Sequence, residues 1–319
     1  VKIIHLTHPY RADEIVNQDV VLALGFFDGV HLGHQAVIQA GRQVADDSGR
    51  PLALMTFNQH PKLIFTQVKG DDLKYLTPFT RKCELLNELG VDILYLIDFT
   101  YSFGAQSPQE FVDDYIVGLH AKTVVAGFDY TYGKATEANM QTLPQHARGR
   151  FDIIEIPQLQ IDQNKVGTTS IRQAIKQGRI EEANHQLGYI YQTSGCVVHG
   201  FKRGRELGYP TTNIDTPSQE LLPGVGVYVV SIWVQGRWYQ GMASVGYNIT
   251  FGQTNQLTCE VYILNFDQMI YGEQVKVQWR HFLRSEQKFD SIEALINQLD
   301  QDLVDTKAYF SNQKGESRC

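Results

Sequence analysis

Val20-Val21-Leu22-Ala23-Leu24-Gly25-Phe26-Phe27-Asp28-Gly29-Val30-His31-Leu32-Gly33-His34 runs from an apolar strand through a glycine-punctuated turn into the start of a helix. The strand is expected over residues 20–27. In the helix that follows, Val37, Ile38, Gly41, Val44 and Ala45 recur at i, i+1, i+4, i+7 and i+8 and share one face. The same alternation continues along the first half, with strand-length apolar runs at 52–57, 93–99, 123–128 and 151–156. A second helix has Thr77 as N-cap, Pro78 at its first position and Gly90 as terminator. A third opens on Ser107-Pro108-Gln109-Glu110, a capping box with proline at the first helical position. Near-continuous apolar strands alternating with helices predict an α/β, Rossmann-like parallel sheet with helices on both faces. Ligands of such sheets bind beyond the carboxyl ends of the strands.

The turn carries chemistry as well as geometry. Gly25 and Gly29 permit a tight bend and close backbone approach. His31 and His34 stand three apart in the first helical turn, so both rings can lie on one side, and Gly33 leaves room for a ligand against the backbone. Free N–H groups and the positive end of the helix dipole make an anion site. Two imidazoles there suit ATP phosphates and the charge that grows on an α-phosphate under attack. An H-x-x-H pair alone also fits surface residues or a weak metal pair; the preceding strand and the Gly-Phe-Phe-Asp-Gly turn favour the nucleotide. The phosphate-facing set is Gly25, Phe27, Asp28, Gly29 and Gly33. Gly127-Phe128-Asp129-Tyr130-Thr131-Tyr132-Gly133 follows the fourth strand and offers Asp129 to nucleotide or acceptor, although it also reads as an aromatic core segment. Thr168-Thr169-Ser170-Ile171-Arg172 brings Thr168, Thr169 and the guanidinium of Arg172 to a helix start, where an ordinary N-cap is the plain alternative. His60, before Pro61 at a strand end, is a weaker candidate for the acceptor.

Near Leu187 the texture changes to short strands at 195–199, 226–234, 238–245, 257–264 and 274–279, with a hairpin turn at Gln235-Gly236-Arg237. Several short strands at this spacing favour a barrel or a sandwich, and a small antiparallel β-barrel is the expectation. A final helix is expected to be capped by Asp290, with an apolar stripe of Ile292, Leu295, Ile296, Leu299 and Leu303. The domains are therefore 1–186 and 187–319. No Walker A loop is present in the second. Gly200, Lys202, Gly204 and Arg205 form a basic, flexible loop suited to polyphosphate. Thr211 and Asn213 offer oxygens that suit Mg²⁺ held with ATP. Glu260 lies among apolar strand neighbours, where a carboxylate either faces water or acts as a general base. Arg284 is a phosphate contact or a surface charge.

Over 319 residues the chain has 43% hydrophobic and 20% charged residues, an ordinary globular balance of two-domain size. A net charge of −7 argues against a nucleic-acid partner. Four scattered cysteines, Cys83, Cys196, Cys259 and Cys319, suggest neither a disulfide framework nor a zinc knuckle. No apolar run is long enough to span a bilayer and no leader pattern is seen, so no membrane and a cytoplasmic location are expected.

Taken in order, these motifs resemble the bifunctional riboflavin kinase/FMN adenylyltransferase family, the prokaryotic FAD synthetases. The likeness extends from Val20 to about Phe289. It rests on Gly-x-Phe-Asp-Gly-Val-His-x-Gly-His, the 127–133 segment and the stretch ending in Ile171-Arg172. In the second half it rests on Gly200 with the 204–213 run, on 222–228, Glu260-Val261-Tyr262, Tyr271-Gly272-Glu273 and 282–289. The resemblance implies ATP, riboflavin, FMN and FAD as small-molecule partners, with flavin as substrate and product. Glu260 would match the base that activates riboflavin, and Thr211 and Asn213 the Mg²⁺–ATP ligands. His31, His34 and Arg172 would match the phosphate-stabilising residues of FMN adenylylation, and His60, Asp129 and Arg284 would meet flavin or acceptor. Four departures stand out: Asn58-Gln59 before His60, Gly167 in place of a serine, Ile249 in place of proline, and Asn265 where aspartate is common. Competing readings are an adenylyltransferase for another phosphorylated acceptor and a flavin-sensing protein with little turnover. A class I aminoacyl-tRNA synthetase, whose signature also has two histidines, would need a lysine-rich loop and a basic domain that this sequence lacks.

Overall fold

The apolar run that opens the decisive stretch becomes the second strand of a six-stranded parallel sheet in the computed structural model. The structure describes all residues except 68–69, 71–73, 162–163, 201–206, 248–256 and 317–319. By backbone packing the chain divides into two units, Val1–Thr168 and Thr169–Cys319.

The first unit contains β1 (Lys2–Leu6), β2 (Val20–Leu24), α1 (Leu32–Ser48), β3 (Leu52–Phe57), α2 (Phe79–Glu88), β4 (Ile93–Ile97), β5 (Ala121–Gly127) and β6 (Asp152–Ile156). The strand order is β1-β4-β3-β2-β5-β6, and every pair is parallel. β2 is buried along its whole length, as strands covered on both faces must be. From β2 the chain winds through β3 to β4, then crosses back to β5 on the other side. The carboxyl ends of β2 and β5 therefore flank the switch point where such sheets hold ligands. α1 buries Val37, Ile38, Gly41 and Ala45 against the sheet. A Cβ on Gly41 would stand 2.9 Å from Leu52 Cδ1, so the small residue sets how closely helix and sheet approach.

Two features differ from the sequence reading. β1 was not expected: Lys2, Ile3 and His5 are exposed on this edge strand, so no apolar run marks it. At α2 the N-cap is Pro78, and the Thr77 hydroxyl instead accepts the Gly29 N–H at 2.8 Å. The capping box at Ser107 and Glu110 forms as expected.

The second unit starts with α3 (Thr168–Lys176, whose first residue belongs to the first unit) and α4 (Ile180–Leu187). Both pack on the barrel: Gly224 N–H donates to the Ile175 carbonyl, and Asn184 Nδ2 to the Trp279 carbonyl at 2.9 Å. Packing thus groups them with the strands that follow, whereas the change of texture in the sequence falls after them. Six antiparallel strands close the barrel: β7 (Gln192–Val198), β8 (Thr211–Asp215), β9 (Gly226–Val234), β10 (Arg237–Tyr247), β11 (Leu257–Ile263) and β12 (Gln274–Arg284). Around the barrel the order is β8-β11-β10-β9-β12-β7. Gln235 and Gly236, at φ 50° and 81°, form the expected two-residue hairpin turn.

The last helix, α5 (Ile292–Glu316), starts one residue later than a cap at Asp290 would require. The Ser291 hydroxyl accepts the Ala294 N–H at 3.1 Å and takes that place. The anticipated stripe is also only partly buried. Ile292 is 68% exposed, whereas Asp302 and Thr306 are almost fully covered. Asp302 receives a forked contact from Arg284 at the end of β12, and that pairing turns the helix.

Candidate functional site

The turn after β2 is held by hydrogen bonds from three elements. Its Phe26 carbonyl accepts both Thr56 Oγ1 of β3, at 2.8 Å, and Lys82 Nζ of α2, at 2.7 Å. The Asp28 carboxylate accepts the N–H groups of Leu76 and Thr77 at 2.9 and 3.2 Å. The Val30 carbonyl accepts Gln35 Nε2. These contacts hold two side-chain-bearing residues, Phe27 and Val30, at φ 54° and 36°. Left-handed backbone is rare for an aromatic residue and rarer for a β-branched one, and it concentrates at functional sites. Gly29, at φ 84°, completes the bend. A Cβ on Gly25 would meet the Phe27 ring at 2.9 Å.

This bend delivers the two histidines together. The rings of His31 and His34 stack with centroids 3.6 Å apart and planes 17° from parallel. His31 is the N-cap of α1, with Nδ1 accepting the His34 N–H at 3.3 Å. In the neutral ring Nε2 then carries the proton and is a donor. Burial pushes the His31 pKa down to about 4, with Asp129 pulling it partly back. Burial, and then the charges of His31 and Lys82, hold His34 well below the ordinary imidazole value. His34 Nδ1 is buried with no hydrogen-bond partner among the described residues. Phe27 packs edge-on against His34 at 5.2 Å. Any Cβ on Gly33 would press on the His31 ring at 3.2 Å. Two neutral imidazoles and the amides of a helix start can donate to phosphate oxygens without exchanging protons near neutrality.

Three more expected residues border this turn. The Thr168 hydroxyl donates to the Asp28 carbonyl at 3.3 Å. Asp129, after β5, is exposed and pairs with Lys165 at 3.6 Å. The His60 ring meets Phe26 edge-on at 4.8 Å, while its Nδ1 accepts the Lys62 N–H.

The barrel gathers a second set. β11 alternates, burying Cys259, Val261 and Ile263 and turning Thr258, Glu260 and Tyr262 to the other face. Asn213 lies directly opposite Glu260 in the β8–β11 ladder, and Thr211 opposite Tyr262. The Thr211 hydroxyl donates to Glu260 Oε2 at 3.1 Å. Gly200 abuts Asn213 so closely that a Cβ there would fall 2.0 Å from Nδ2. A hydroxyl, an amide and a carboxylate thus share one patch, a set of hard oxygen donors.

Comparison with known proteins bears on both sets. A FAD synthetase family model matches residues 13–170, and a riboflavin kinase model matches residues 187–310. A Listeria monocytogenes protein named bifunctional riboflavin kinase/FMN adenylyltransferase is 48% identical over 97% of this chain and 98% of its own. The chain belongs to the bifunctional riboflavin kinase/FMN adenylyltransferase family. A Bacillus subtilis protein of the same name is 39% identical over 98% of this chain and 99% of its own. A crystal structure described as a macrolide-efflux protein from Streptococcus pneumoniae superposes with a TM-score of 0.88 at 36% identity, covering 95% of this chain and 99% of that one. Among the described residues, no helix is long and apolar enough to cross a membrane.

Within this riboflavin kinase/FMN adenylyltransferase fold, the remaining expected positions fall in different surroundings. Thr169 and Arg172 lie on α3. Arg284 is held by Asp302 and by the Phe289 ring, 5.8 Å from its guanidinium carbon. Lys202, Gly204 and Arg205 lie outside the described residues, as does Ile249. Of the other departures, Asn58 accepts the Phe99 N–H and donates to Asp98, and Asn265 takes φ 55°, a conformation asparagine tolerates. Sequence reading missed residues whose side chains bond to the candidate turn: Thr56, hidden inside an apolar strand, Gln35 in α1, and Lys82. The signal for Lys82 is a lysine on the buried stripe of α2 with Leu85 and Leu86.

Proposed function

We propose that this chain carries out both reactions of its family, with the barrel phosphorylating riboflavin to FMN and the N-terminal unit adenylylating FMN to FAD. Two arrangements support this reading: stacked, proton-poor imidazoles at a sheet switch point, and a Thr211–Asn213–Glu260 patch on a barrel wall.

In the barrel, Glu260 accepts the proton of the ribityl 5′-hydroxyl as that oxygen attacks the γ-phosphorus of ATP and ADP departs. The Thr211 hydroxyl, already bonded to Glu260, orients the carboxylate. Thr211 and Asn213 fit as ligands of Mg²⁺ bound with ATP, a small cation that prefers hard oxygens and substrate phosphates. When bound, Mg²⁺ neutralises charge on the polyphosphate. Gly200, pressed against Asn213, leaves room for the polyphosphate beside that patch.

In the N-terminal unit, an oxygen of the FMN phosphate attacks the α-phosphorus of ATP and pyrophosphate leaves. The nucleophile is already an anion, so no base is required. His31 and His34 act as neutral donors to the phosphoryl oxygens, and the amides at the head of α1 complete the anion site. Gly25, Phe27, Asp28, Gly29, Gly33 and Thr168 shape that site, while His60 and Asp129 face the acceptor. A domain boundary between 186 and 187 separates the two activities. The ATP requirement suits the cytoplasm, where thiols such as Cys83, Cys196 and Cys259 stay reduced.

The test is chromatography of flavins after incubation with Mg²⁺ and ATP. Glu260→Ala should lose riboflavin phosphorylation by a factor of roughly 100 or more yet convert supplied FMN to FAD. His31→Ala should do the reverse. Equal loss of both steps in either variant would overturn the division of labour.

A further inference from the structure

Lys82 is the charge that the mechanism above does not use. It is 4% exposed and sits on the apolar stripe of α2, where methionine or leucine would pack at less cost. Its ammonium makes its hydrogen bond and its ring contact on the candidate turn. It donates to the Phe26 carbonyl at 2.7 Å and lies 4.4 Å from the centre of the Phe26 ring. Thr56 donates to the same carbonyl from the opposite element, so both lone-pair directions of that oxygen are taken. A trans peptide sends its N–H away from its carbonyl. Fixing the Phe26 oxygen inward therefore turns the Phe27 N–H away from Lys82, at the residue where the backbone enters its left-handed conformation. The charged and titratable groups around the ammonium are the Asp28 carboxylate on the turn, the His34 imidazole on α1 and the neighbouring Cys83 thiol on α2.

We propose that Lys82 is a positioning residue for adenylyl transfer: its charge-assisted hydrogen bond to the Phe26 carbonyl holds the peptide between Phe26 and Phe27 in the orientation that serves the polyphosphate. The inference rests on the reading of the N-terminal unit as the adenylyltransferase. It predicts a titration signature. Burial lowers the Lys82 pKa to about 8, with Asp28 opposing the shift. The charge is present below that pH and lost above it.

The experiment compares Lys82→Met and Lys82→Arg with the wild type, using FMN and ATP for adenylylation and riboflavin and ATP for phosphorylation in the same preparations. Lys82→Met should lower kcat for FAD formation roughly 100-fold, the scale of a small misplacement at a reacting centre, with little change in the KM for FMN and an unchanged kinase rate. In the wild type, kcat/KM for ATP in FAD formation should fall as pH rises through about 8. Lys82→Arg should keep most of the rate and lose that alkaline limb, because a guanidinium stays charged. A wild-type kcat in Lys82→Met, or the same alkaline limb in Lys82→Arg, would overturn the inference while leaving the adenylyltransferase reading intact. If Lys82→Met does not fold, the limb in Lys82→Arg decides. A wild type that makes FMN but no FAD would overturn the reading and the inference together.

Discussion

At the scale of single residues, both sites depend on atoms that are missing as much as on atoms that are present. Gly200 is the sharpest case. Its absent side chain is what lets Asn213 lie across from Glu260, since a methyl group at 200 would occupy the Asn213 amide. The atoms in conflict belong to the end of a rotatable side chain, so alanine there should fold with Asn213 swung aside. Gly200→Ala is therefore expected to reduce riboflavin phosphorylation roughly 10- to 100-fold, with FAD formation from supplied FMN unchanged. Steady-state rates at several ATP concentrations would check this, and an unaltered kinase would show that Asn213 contributes nothing to ATP binding. His31 shows the converse economy. One ring caps a helix through Nδ1 and still carries a second ring nitrogen as a donor, which a serine or aspartate cap would not do.

At the scale of elements, the most consequential contact is the clasp between β12 and α5. Arg284 Nε and Nη2 both reach the Asp302 carboxylate, the side chains being 15% and 2% exposed. Removing one member of such a pair leaves the other charge buried, a change that costs about 3–5 kcal/mol. Arg284→Met should therefore lower the unfolding midpoint of the barrel in a denaturant melt. The double variant Arg284→Met/Asp302→Leu should recover most of the loss, because two apolar side chains replace the pair. A single variant that melts like the wild type but binds riboflavin more weakly would show that Arg284 serves the flavin rather than the helix. The second latch on α5 has the same logic: Tyr209, just ahead of Thr211, donates its hydroxyl to Asp300 and meets the Tyr262 ring edge-on. The last helix thus holds the segment leading into the barrel site.

At the scale of the whole molecule, buried histidines make folding sensitive to acid. An unfolded histidine gains its proton near pH 6.5, whereas His31 in the folded chain resists until about 4. Between those values the unfolded state binds more protons, so stability falls as the pH falls, by up to about 3 kcal/mol from this residue, and no further below pH 4. His31→Asn keeps a cap and removes the titration, so its stability should decline less over that window. Urea melts at low protein concentration would read the difference, because the window includes the pI of about 5.8, where net charge vanishes. Parallel slopes for the two proteins would contradict the burial argument. Local sequence by itself determined the parallel sheet, the barrel, the Gln235-Gly236 hairpin and the candidate turn with its two histidines, because apolar periodicity and turn chemistry act over a few residues. It did not mark β1, whose exposed edge carries no apolar run, nor β8, whose Pro-Thr-Thr-Asn entry reads as a loop until pairing with β11 makes it a strand. Only the tertiary structure decided that Thr77 would abandon its helix to hold Gly29, that Lys82 would spend its charge on Phe26, and that α3 and α4 would pack with the barrel. Those outcomes turn on partners far away along the chain, and a hydrogen bond or ion pair between distant residues leaves no pattern in either segment alone.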